Sequence, residues 1–410
     1  MRLKAWAFVA VAASGVFAAH EAGAQQAQMP TVATKREIKL GARVEGSYDT
    51  NVSHSNKAVA ALRGLKLSDY LATPAATVSI VQPFGRQTAF LQGDIGYVFH
   101  KYNPELDSQH TSLNGGLTSQ LSSCNVALTG AYSASQTELT SFDLASVTNV
   151  QHTTTTGAGF QCARPSGIGI GAFGSRSQVK NADATRRTSD ADIETLSSQI
   201  GYGRPNLGAF SLGYSYSRTQ YPNRIIPGRP VGDSFFTTSY VAGYQRQFGS
   251  RLQVNGSGGL THVKREFAPP GVKQSFNSAT YNVDVSYGLG PRIKIEGAAV
   301  RAYTPSQQLG KSYDKSTNLN GKIEYKASPR LSFSLGAQQQ EQDSNVDSTL
   351  PPGLFVTQSK TRSVSASATY SPTRRWSVAL SVRHDDRTAD LPQFNYTSTR
   401  IGLTAQANLN

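Results

Sequence analysis

Short turn signals divide this chain into segments of nearly constant length. They begin at Phe84, Ser122, Ala163, Gly203, Phe248, Gly290, Ser328 and Ser371. Successive turns therefore start 38 to 45 residues apart. Between two turns lie an extended stretch, a longer polar stretch and a second extended stretch. A strand, a long loop and a returning strand, repeated along the chain, predict a fold built from antiparallel hairpins.

The extended stretches alternate between apolar and polar residues. In Tyr281–Leu289 every odd-numbered residue is apolar, whereas the even-numbered residues are Asn, Asp, Ser and Gly. A period of two residues is typical of a strand with one apolar face. The same alternation runs through Leu319–Tyr325, Leu331–Ala337, Trp376–Val382 and Ile401–Leu409. The polar face also carries Lys, Glu and Asp, so it must meet water.

Strands of about ten residues with tight turns at one end and long loops at the other are typical of outer-membrane barrels. Eight tight turns and nine long loops predict 18 strands, and a count of 16 or 20 would also fit. The apolar face is thin, with aromatic residues near the strand ends, which suits lipid. We therefore expect an all-β fold, a transmembrane antiparallel barrel over residues 37–410 with short periplasmic turns and long extracellular loops. The alternative is a secreted β-sandwich or solenoid.

The N-terminus has the pattern of an export signal. Arg2 and Lys4 precede the apolar run Ala5–Ala19, and Ala22-Gly23-Ala24 forms a small-residue cleavage site. We expect a signal peptide over residues 1–24 and a short periplasmic segment over residues 25–36, with both barrel termini periplasmic. That segment is too short for a plug domain, which argues against energy-coupled uptake. After residue 24 no apolar run approaches the length of a transmembrane helix.

The chain has two cysteines, Cys124 and Cys162. An oxidising compartment favours a disulfide between them. Cys124 is predicted to begin the fifth strand and Cys162 to end the sixth, on the same face of two neighbouring antiparallel strands. Directly opposed residues in such strands lie close enough for a disulfide. We therefore predict that the pair is bonded, although two small buried thiols are the alternative.

Three segments carry a resemblance to a known family. They are Gly41–Val52 (GARVEGSYDTNV), Asp69–Gln87 (DYLATPAATVSIVQPFGRQ) and Gly96–Asp107 (GYVFHKYNPELD). The chain resembles the outer-membrane β-barrel porins of α-proteobacteria that are often encoded beside exopolysaccharide clusters. The resemblance runs from Gly41 to the C-terminus. It implies an outer-membrane barrel and, for some members, secretion of a surface polysaccharide.

No arrangement of residues in the sequence indicates an enzyme. The histidines after residue 24 are His54, His100, His110, His152, His262 and His384. Each is predicted to lie in or beside a different loop, and none has a nucleophile motif nearby. The sequence has no zinc-ligand spacing and no dinucleotide or phosphate fingerprint, so we expect no catalytic site, metal or cofactor. The net charge of +14 could suggest nucleic acid, but the basic residues are dispersed without a stacking platform.

Arginine recurs in seven of the eight tight turns. These residues are Arg86, Arg164, Arg204, Arg251, Arg292, Arg330 and Arg374. They are predicted to ring the periplasmic rim, either as anchors to lipid phosphates or as a positive mouth that attracts an acidic polymer. A second set alternates with apolar residues and is predicted to face the lumen. It contains Arg43, Glu45, Asp94, Asp284, Lys294, Glu296, Lys322, Glu324, Arg383 and Arg400.

The sequence therefore indicates an integral outer-membrane barrel that passes a polar solute without chemistry. The first hypothesis is a conduit for an exopolysaccharide, with outer-membrane lipid and lipopolysaccharide around it and a polysaccharide-export lipoprotein or other periplasmic protein as its partner. The second hypothesis is a general or anion-preferring diffusion porin. The third is a structural or adhesion barrel that uses loops such as Glu341–Ser359.

Overall fold

The protein is described here from a computed structural model that covers residues 35–137, 149–164, 166–225, 232–268, 273–306, 311–346 and 356–409. The predicted signal peptide lies outside the described residues, as do residues 25–34 of the predicted N-terminal segment. Residues 347–355 of the loop Glu341–Ser359 also lie outside them.

Eighteen strands form a single sheet. The first nine are β1 (Glu37–Asp49), β2 (Asp69–Phe84), β3 (Gln87–His100), β4 (Ser108–Leu121), β5 (Cys124–Gln136), β6 (Val150–Cys162), β7 (Gly167–Asn181), β8 (Ala191–Arg204) and β9 (Gly208–Ile225). The second nine are β10 (Gly232–Phe248), β11 (Leu252–Arg265), β12 (Ser275–Leu289), β13 (Ile293–Pro305), β14 (Lys311–Lys326), β15 (Leu331–Val346), β16 (Gln358–Tyr370), β17 (Trp376–Ala389) and β18 (Tyr396–Asn408).

The sheet closes on itself to form a barrel. Every strand is antiparallel to its chain neighbours, and β1 pairs with both β2 and β18. The closing register runs from Gly41 opposite Asn408 to Asp49 opposite Arg400. Closure leaves no strand edge with unpaired backbone groups. The predicted fold class and strand count are both confirmed.

The two ends of the barrel differ in their connections. Eight short connections lie at one end, which we call the turn end, and nine connections, most of them longer, lie at the other, the loop end. In the tight turns Gly85 and Gly290 have positive φ angles of 62° and 71°, a conformation that glycine adopts without strain. The longer connections contain helix α1 (Lys57–Leu62) and three short 3₁₀ helices. No helix among the described residues has the length and apolarity needed to span a membrane.

The outer face of the wall is apolar. Large apolar side chains at alternate positions, such as Val283, Val285, Leu380 and Leu403, remain exposed on it. Near the turn end several of the exposed side chains are aromatic: Phe84, Tyr202, Phe248, Tyr370 and Trp376. A continuous apolar surface of this extent is unusual on a protein surrounded by water. An apolar band flanked by aromatic residues matches the outer face of a membrane-spanning barrel.

A disulfide joins β5 to β6 at the turn end. Cys124 and Cys162 are directly opposed in the strand register, and their sulfur atoms are bonded at 2.04 Å. They share the outer face with Val126 and Leu128, which follow Cys124 at alternate positions in β5. The bond therefore lies across two adjacent strands and leaves the barrel interior clear.

The loops at the loop end are tied to the wall by buried polar groups. Asp69, the first residue of β2, is fully buried and accepts hydrogen bonds from the backbone nitrogens of Tyr70, Tyr102 and Asn103 at 2.7, 2.9 and 3.0 Å. The Asn103 side chain donates to the same carboxylate at 2.8 Å and accepts from the Lys66 nitrogen at 2.7 Å. Asp69 thus connects the β1–β2 loop to the β3–β4 loop.

Candidate transport lumen

The inner face of the wall is polar, and long sectors of it carry no charge. On β5 to β8 the inward positions are mostly Ser, Thr, Gln, Asn, Ala and Gly. Hydroxyl groups bond across strands along this face, as between Thr155 and Ser177 at 3.0 Å and between Ser334 and Ser367 at 2.8 Å. Hydroxyl groups both donate and accept hydrogen bonds, so such a wall can exchange bonds with water or with a polar solute.

Charged side chains gather in two sectors of the inner face. In the first, Asp94 of β3 lies between Arg43 of β1, at 3.1 Å, and His110 of β4, with its Nε2 at 3.2 Å. The side chains of Arg43 and Asp94 are about one-fifth exposed. Because β1 and β3 are separated by β2, the Arg43–Asp94 pair crosses one whole strand on the inner surface.

The same sector continues onto β17 and β18. Arg400 donates to Glu45 at 3.0 Å and to the hydroxyl of Ser47 at 3.2 Å. Arg383 lies directly opposite Arg400 in the register and pairs with Asp385 at 2.8 Å. Two adjacent guanidinium groups therefore face the lumen, and each is held by its own carboxylate. Their partial exposure leaves them accessible to a solute.

The second charged sector lies on β13 and β14. Lys294 is opposite Glu324 in the register, and Glu296 is opposite Lys322. Along each strand, Lys294 also pairs with Glu296 and Lys322 with Glu324. The four charges therefore alternate in sign in both directions, so their net field is small. Asp284 lies on the inner face of the neighbouring strand β12.

All ten residues predicted to face the lumen lie at inward positions of the wall. The structure brings Arg43 to Asp94, Arg400 to Glu45, and the two Lys–Glu pairs together, whereas the sequence pattern gave only the direction of each side chain. His110, which also reaches Asp94, was not among the predicted residues. The expectation that the histidines lie in or beside loops is wrong for four of them, since His110, His152, His262 and His384 lie within β4, β6, β11 and β17.

The predicted arginines lie at the turn end, with one difference. Six are in the tight connections themselves, whereas Arg204 is the last residue of β8 and lies with its guanidinium 5.6 Å from the ring centroid of Tyr202. All seven are exposed. Arg204 is outward-facing because it shares the parity of Tyr202, and a guanidinium above an aromatic ring suits the border between an apolar belt and water.

The loop end has an apolar cluster that sequence alternation did not predict. Val179, Ala191, Tyr221, Phe235 and Val263 lie at inward positions near the loop ends of five consecutive strands, yet each is at most 3% exposed. Inward side chains of a water-filled barrel would be wet, so these must be covered by other parts of the chain. Connections at the loop end, such as the 3₁₀ helix Ala184–Ser189 that contacts β7 and β9, therefore form a cover over this cluster.

A buried ionic group holds this cover in place. Asp233 of β10 is fully buried and accepts two hydrogen bonds from Arg265 of β11, at 2.9 and 2.8 Å. Arg224 of β9 lies 3.6 Å from the same carboxylate, with its guanidinium 3.8 Å from the ring centroid of Tyr221. We call Arg224, Asp233 and Arg265 the mouth triad. Buried charges are normally paired and hydrogen-bonded, and here one carboxylate is the partner of two arginines.

The mouth triad also joins distant loops. Arg224 donates to the carbonyl of Ser306 at 3.1 Å and to that of Thr188 at 3.4 Å, and the Tyr221 hydroxyl donates to the carbonyl of Pro305 at 3.4 Å. Three strands of the wall separate β9 from β13, which ends at Pro305. These bonds therefore connect β9 to the β7–β8 connection on one side and to the β13–β14 connection on the other.

Within the described residues, no group of three or more His, Cys, Asp or Glu side chains is arranged to hold a metal ion. The exposed and half-buried polar groups of the inner wall are able to form hydrogen bonds and ion pairs with a solute. Chemically, the arrangement provides a polar inner face with two charged sectors and a folded cover over an apolar cluster at the loop end.

The closed 18-strand barrel with an apolar outside and a polar inside has the fold of the outer-membrane porins. OccK9 (OpdG) of Pseudomonas aeruginosa has a similar structure, with a TM-score of 0.50 at 11% identity over 93% of this chain and 100% of that one. OccK2 (OpdF) of the same organism, in complex with glucuronate, has a TM-score of 0.49 at 10% identity over 93% and 100%. The P. aeruginosa outer membrane protein OpdK has a TM-score of 0.46 at 10% identity over 91% and 99%.

At such low identity the likeness concerns the fold. No protein-family model matches this chain, and no curated protein matches it in sequence. The function of the barrel must therefore be inferred from its own residues.

Proposed function

We propose that this protein is an integral outer-membrane channel that passes polar solutes through a water-filled lumen. The observation that carries the proposal is the two-faced wall, with exposed Val, Leu and Tyr outside and ion pairs such as Arg43–Asp94 inside. A bilayer stabilises the first surface and water the second, and a closed sheet of 18 strands can enclose an aqueous channel. The channel needs no catalytic group.

The orientation follows from the same proposal. In outer-membrane barrels the short turns face the periplasm and the longer loops face outward. The turn end would then be periplasmic, and so would both chain termini, since β1 begins and β18 ends there. Residues 1–24 would act as the export signal that brings the chain to the periplasm.

The first candidate cargo is an exopolysaccharide that leaves the cell. The hydroxyl- and amide-lined sectors of β5 to β8 and of β15 to β16 support this choice, because they can exchange hydrogen bonds with sugar hydroxyls. The resemblance to porins encoded beside exopolysaccharide clusters supports it too. Export also requires a periplasmic partner, such as a polysaccharide-export lipoprotein, because a passive barrel supplies no energy.

The second candidate is a diffusion porin for small anionic solutes. A specific observation favours it: Arg383 and Arg400 lie directly opposite each other and face the lumen together. The third hypothesis, an adhesion barrel, depended on the loop Glu341–Ser359, and its central residues 347–355 are outside the described part of the chain.

Deletion of the gene distinguishes these cargoes. If the barrel exports a polysaccharide, the deletion strain should lose surface polysaccharide, while its uptake of small hydrophilic nutrients stays at the wild-type rate. If the barrel is a diffusion porin, the polysaccharide should be unchanged and entry of small anions should slow. Surface polysaccharide is measured by dye binding, and uptake with radiolabelled solutes. The same deletion is also made in a strain that lacks other porins. If that strain keeps both its surface polysaccharide and its rate of solute uptake, the channel proposal is contradicted.

A further inference from the structure

A groove on the inner surface at the turn end combines positive charge with hydrogen-bonding groups. It has a volume of about 290 Å³ and lies between the β10–β11 turn, the β12–β13 turn and the end of β14. Its side chains include Arg251, Arg292, Lys294, Lys326, Gln247, Gln253, Ser286 and Glu324. This volume is at the lower end of ligand sites, about 300 Å³. The groove can therefore hold one small ligand or one unit of a polymer.

The floor of the groove is open because of a glycine. Gly288 lies at an inward position of β12, directly opposite Lys294. A Cβ atom added at Gly288 would lie 3.8 Å from the Arg251 carbonyl and 4.0 Å from the Gly290 carbonyl, which is ordinary contact. Packing therefore does not require glycine here, and the missing side chain leaves the space above it to a ligand.

The cations of the groove are not fully neutralised by the protein. Lys294 pairs with Glu296, and the one acidic lining residue, Glu324, pairs with Lys322. Among the described residues, no carboxylate lies within 4.0 Å of the charged groups of Arg251, Arg292 or Lys326. By contrast, the recess beside the β8–β9 turn has Arg204 as its one cation. The groove is thus a local concentration of positive charge at the turn end.

We infer that this groove, which we call the acidic-sugar groove, binds a saccharide unit that carries a carboxylate. Two guanidinium groups and a lysine suit the carboxylate, because arginine binds carboxylates through two parallel hydrogen bonds. The amides of Gln247 and Gln253 and the hydroxyl of Ser286 suit the ring hydroxyls. The inference rests on the proposed function, and it adds the chemical class of the solute and the point where it first contacts the channel from the turn end.

Titration of the detergent-solubilised full chain with tri-galacturonic acid tests the inference. Calorimetry should detect binding to the wild type, and the variant Arg251→Gln/Arg292→Gln/Lys326→Gln should bind at least about tenfold more weakly, since each lost charged hydrogen bond contributes substantially. The matched control Arg86→Gln/Arg204→Gln/Arg374→Gln removes three rim cations outside the groove. The affinity of this control for tri-galacturonic acid should stay within about twofold of the wild-type affinity, because it loses only long-range charge.

A second variant tests the shape of the groove while all its charges are kept. Gly288→Leu should fill the floor and weaken binding of tri-galacturonic acid by a similar factor, with an unchanged melting temperature. Neutral maltotriose should show no difference among the four proteins. Absence of tri-galacturonate binding to the wild type, or equal losses in the groove variant and the rim control, would overturn the inference. Conductance of the same wild-type preparation in a planar bilayer shows separately whether the channel proposal stands.

Discussion

Asp233→Asn is expected to loosen the loop cover and to increase the current through the barrel. The substitution keeps the size of the side chain but leaves Arg224 and Arg265 buried without their shared carboxylate. Removing one partner of a buried ion pair typically costs about 3–5 kcal/mol. The strand pairing of the wall does not depend on this carboxylate, so the loss should fall on the loops. Single-channel recordings should show a higher conductance and more open-channel noise than the wild type.

Asp192→Asn is the matched control for this change. Asp192 also lies near the loop end, on β8, but it faces outward and accepts a hydrogen bond from Gln178 at 3.0 Å. A surface substitution of this kind should alter stability by no more than about 0.5 kcal/mol. Limited proteolysis should cut the loops of Asp233→Asn faster than those of Asp192→Asn. Equal conductance and equal proteolysis in both variants would show that the mouth triad does not hold a cover.

Neutralising the lumen arginines is expected to make the channel prefer cations. Arg43, Arg383 and Arg400 are paired with Asp94, Asp385 and Glu45, and all six groups are partly exposed to the lumen. The triple change to glutamine leaves three carboxylates without their arginine partners. Charge of one sign along a narrow channel concentrates counter-ions about tenfold or more. The reversal potential under a salt gradient should therefore move toward the cation equilibrium potential, most strongly at low salt.

The control for this experiment changes three arginines on the outer face. Arg176, Arg218 and Arg301 lie at outward positions near the loop end, on β7, β9 and β13. Their replacement by glutamine removes the same charge from the protein but none from the inner wall. The selectivity of this control should match the wild type. If the two triple variants shift the reversal potential equally, the current does not pass the inner arginines.

The wall could be predicted from the sequence because its two faces alternate residue by residue. Tyr281–Leu289 needs only its own pattern to be placed as a strand with an apolar and a polar face, and the turn spacing supplies the strand count. Register at the turn end also follows from short turns, which is why Cys124 and Cys162 could be paired in advance. The strand faces, the strand count and the register at the turn end all depend on residues that are close in the chain or in adjacent strands.

The loop cover could not be predicted, because its contacts join residues that are far apart in the chain. Arg224 meets Ser306, 82 residues further along the chain, and no local period connects the two. Tyr221, Phe235 and Val263 continue the inward parity of their strands, so the alternation alone made them lumen-facing and wet. One signal was available, since apolar residues at inward positions near strand ends break the polar pattern and indicate that something covers them. The acidic-sugar groove is formed by two turns and the end of β14, which meet only when consecutive hairpins pair in the sheet.

The central claim is that water fills the barrel and lipid surrounds it, and labelling of single cysteines along β12 tests it most directly. The protein reconstituted in liposomes carries Cys in turn at positions 282 to 287, and the native cysteines stay in their disulfide. A charged, membrane-impermeant thiol reagent should modify Asn282→Cys, Asp284→Cys and Ser286→Cys, because these positions face the lumen. It should leave Val283→Cys, Val285→Cys and Tyr287→Cys unmodified in the lipid. Equal labelling at all six positions, or labelling of only the odd-numbered ones, would contradict the water-filled channel.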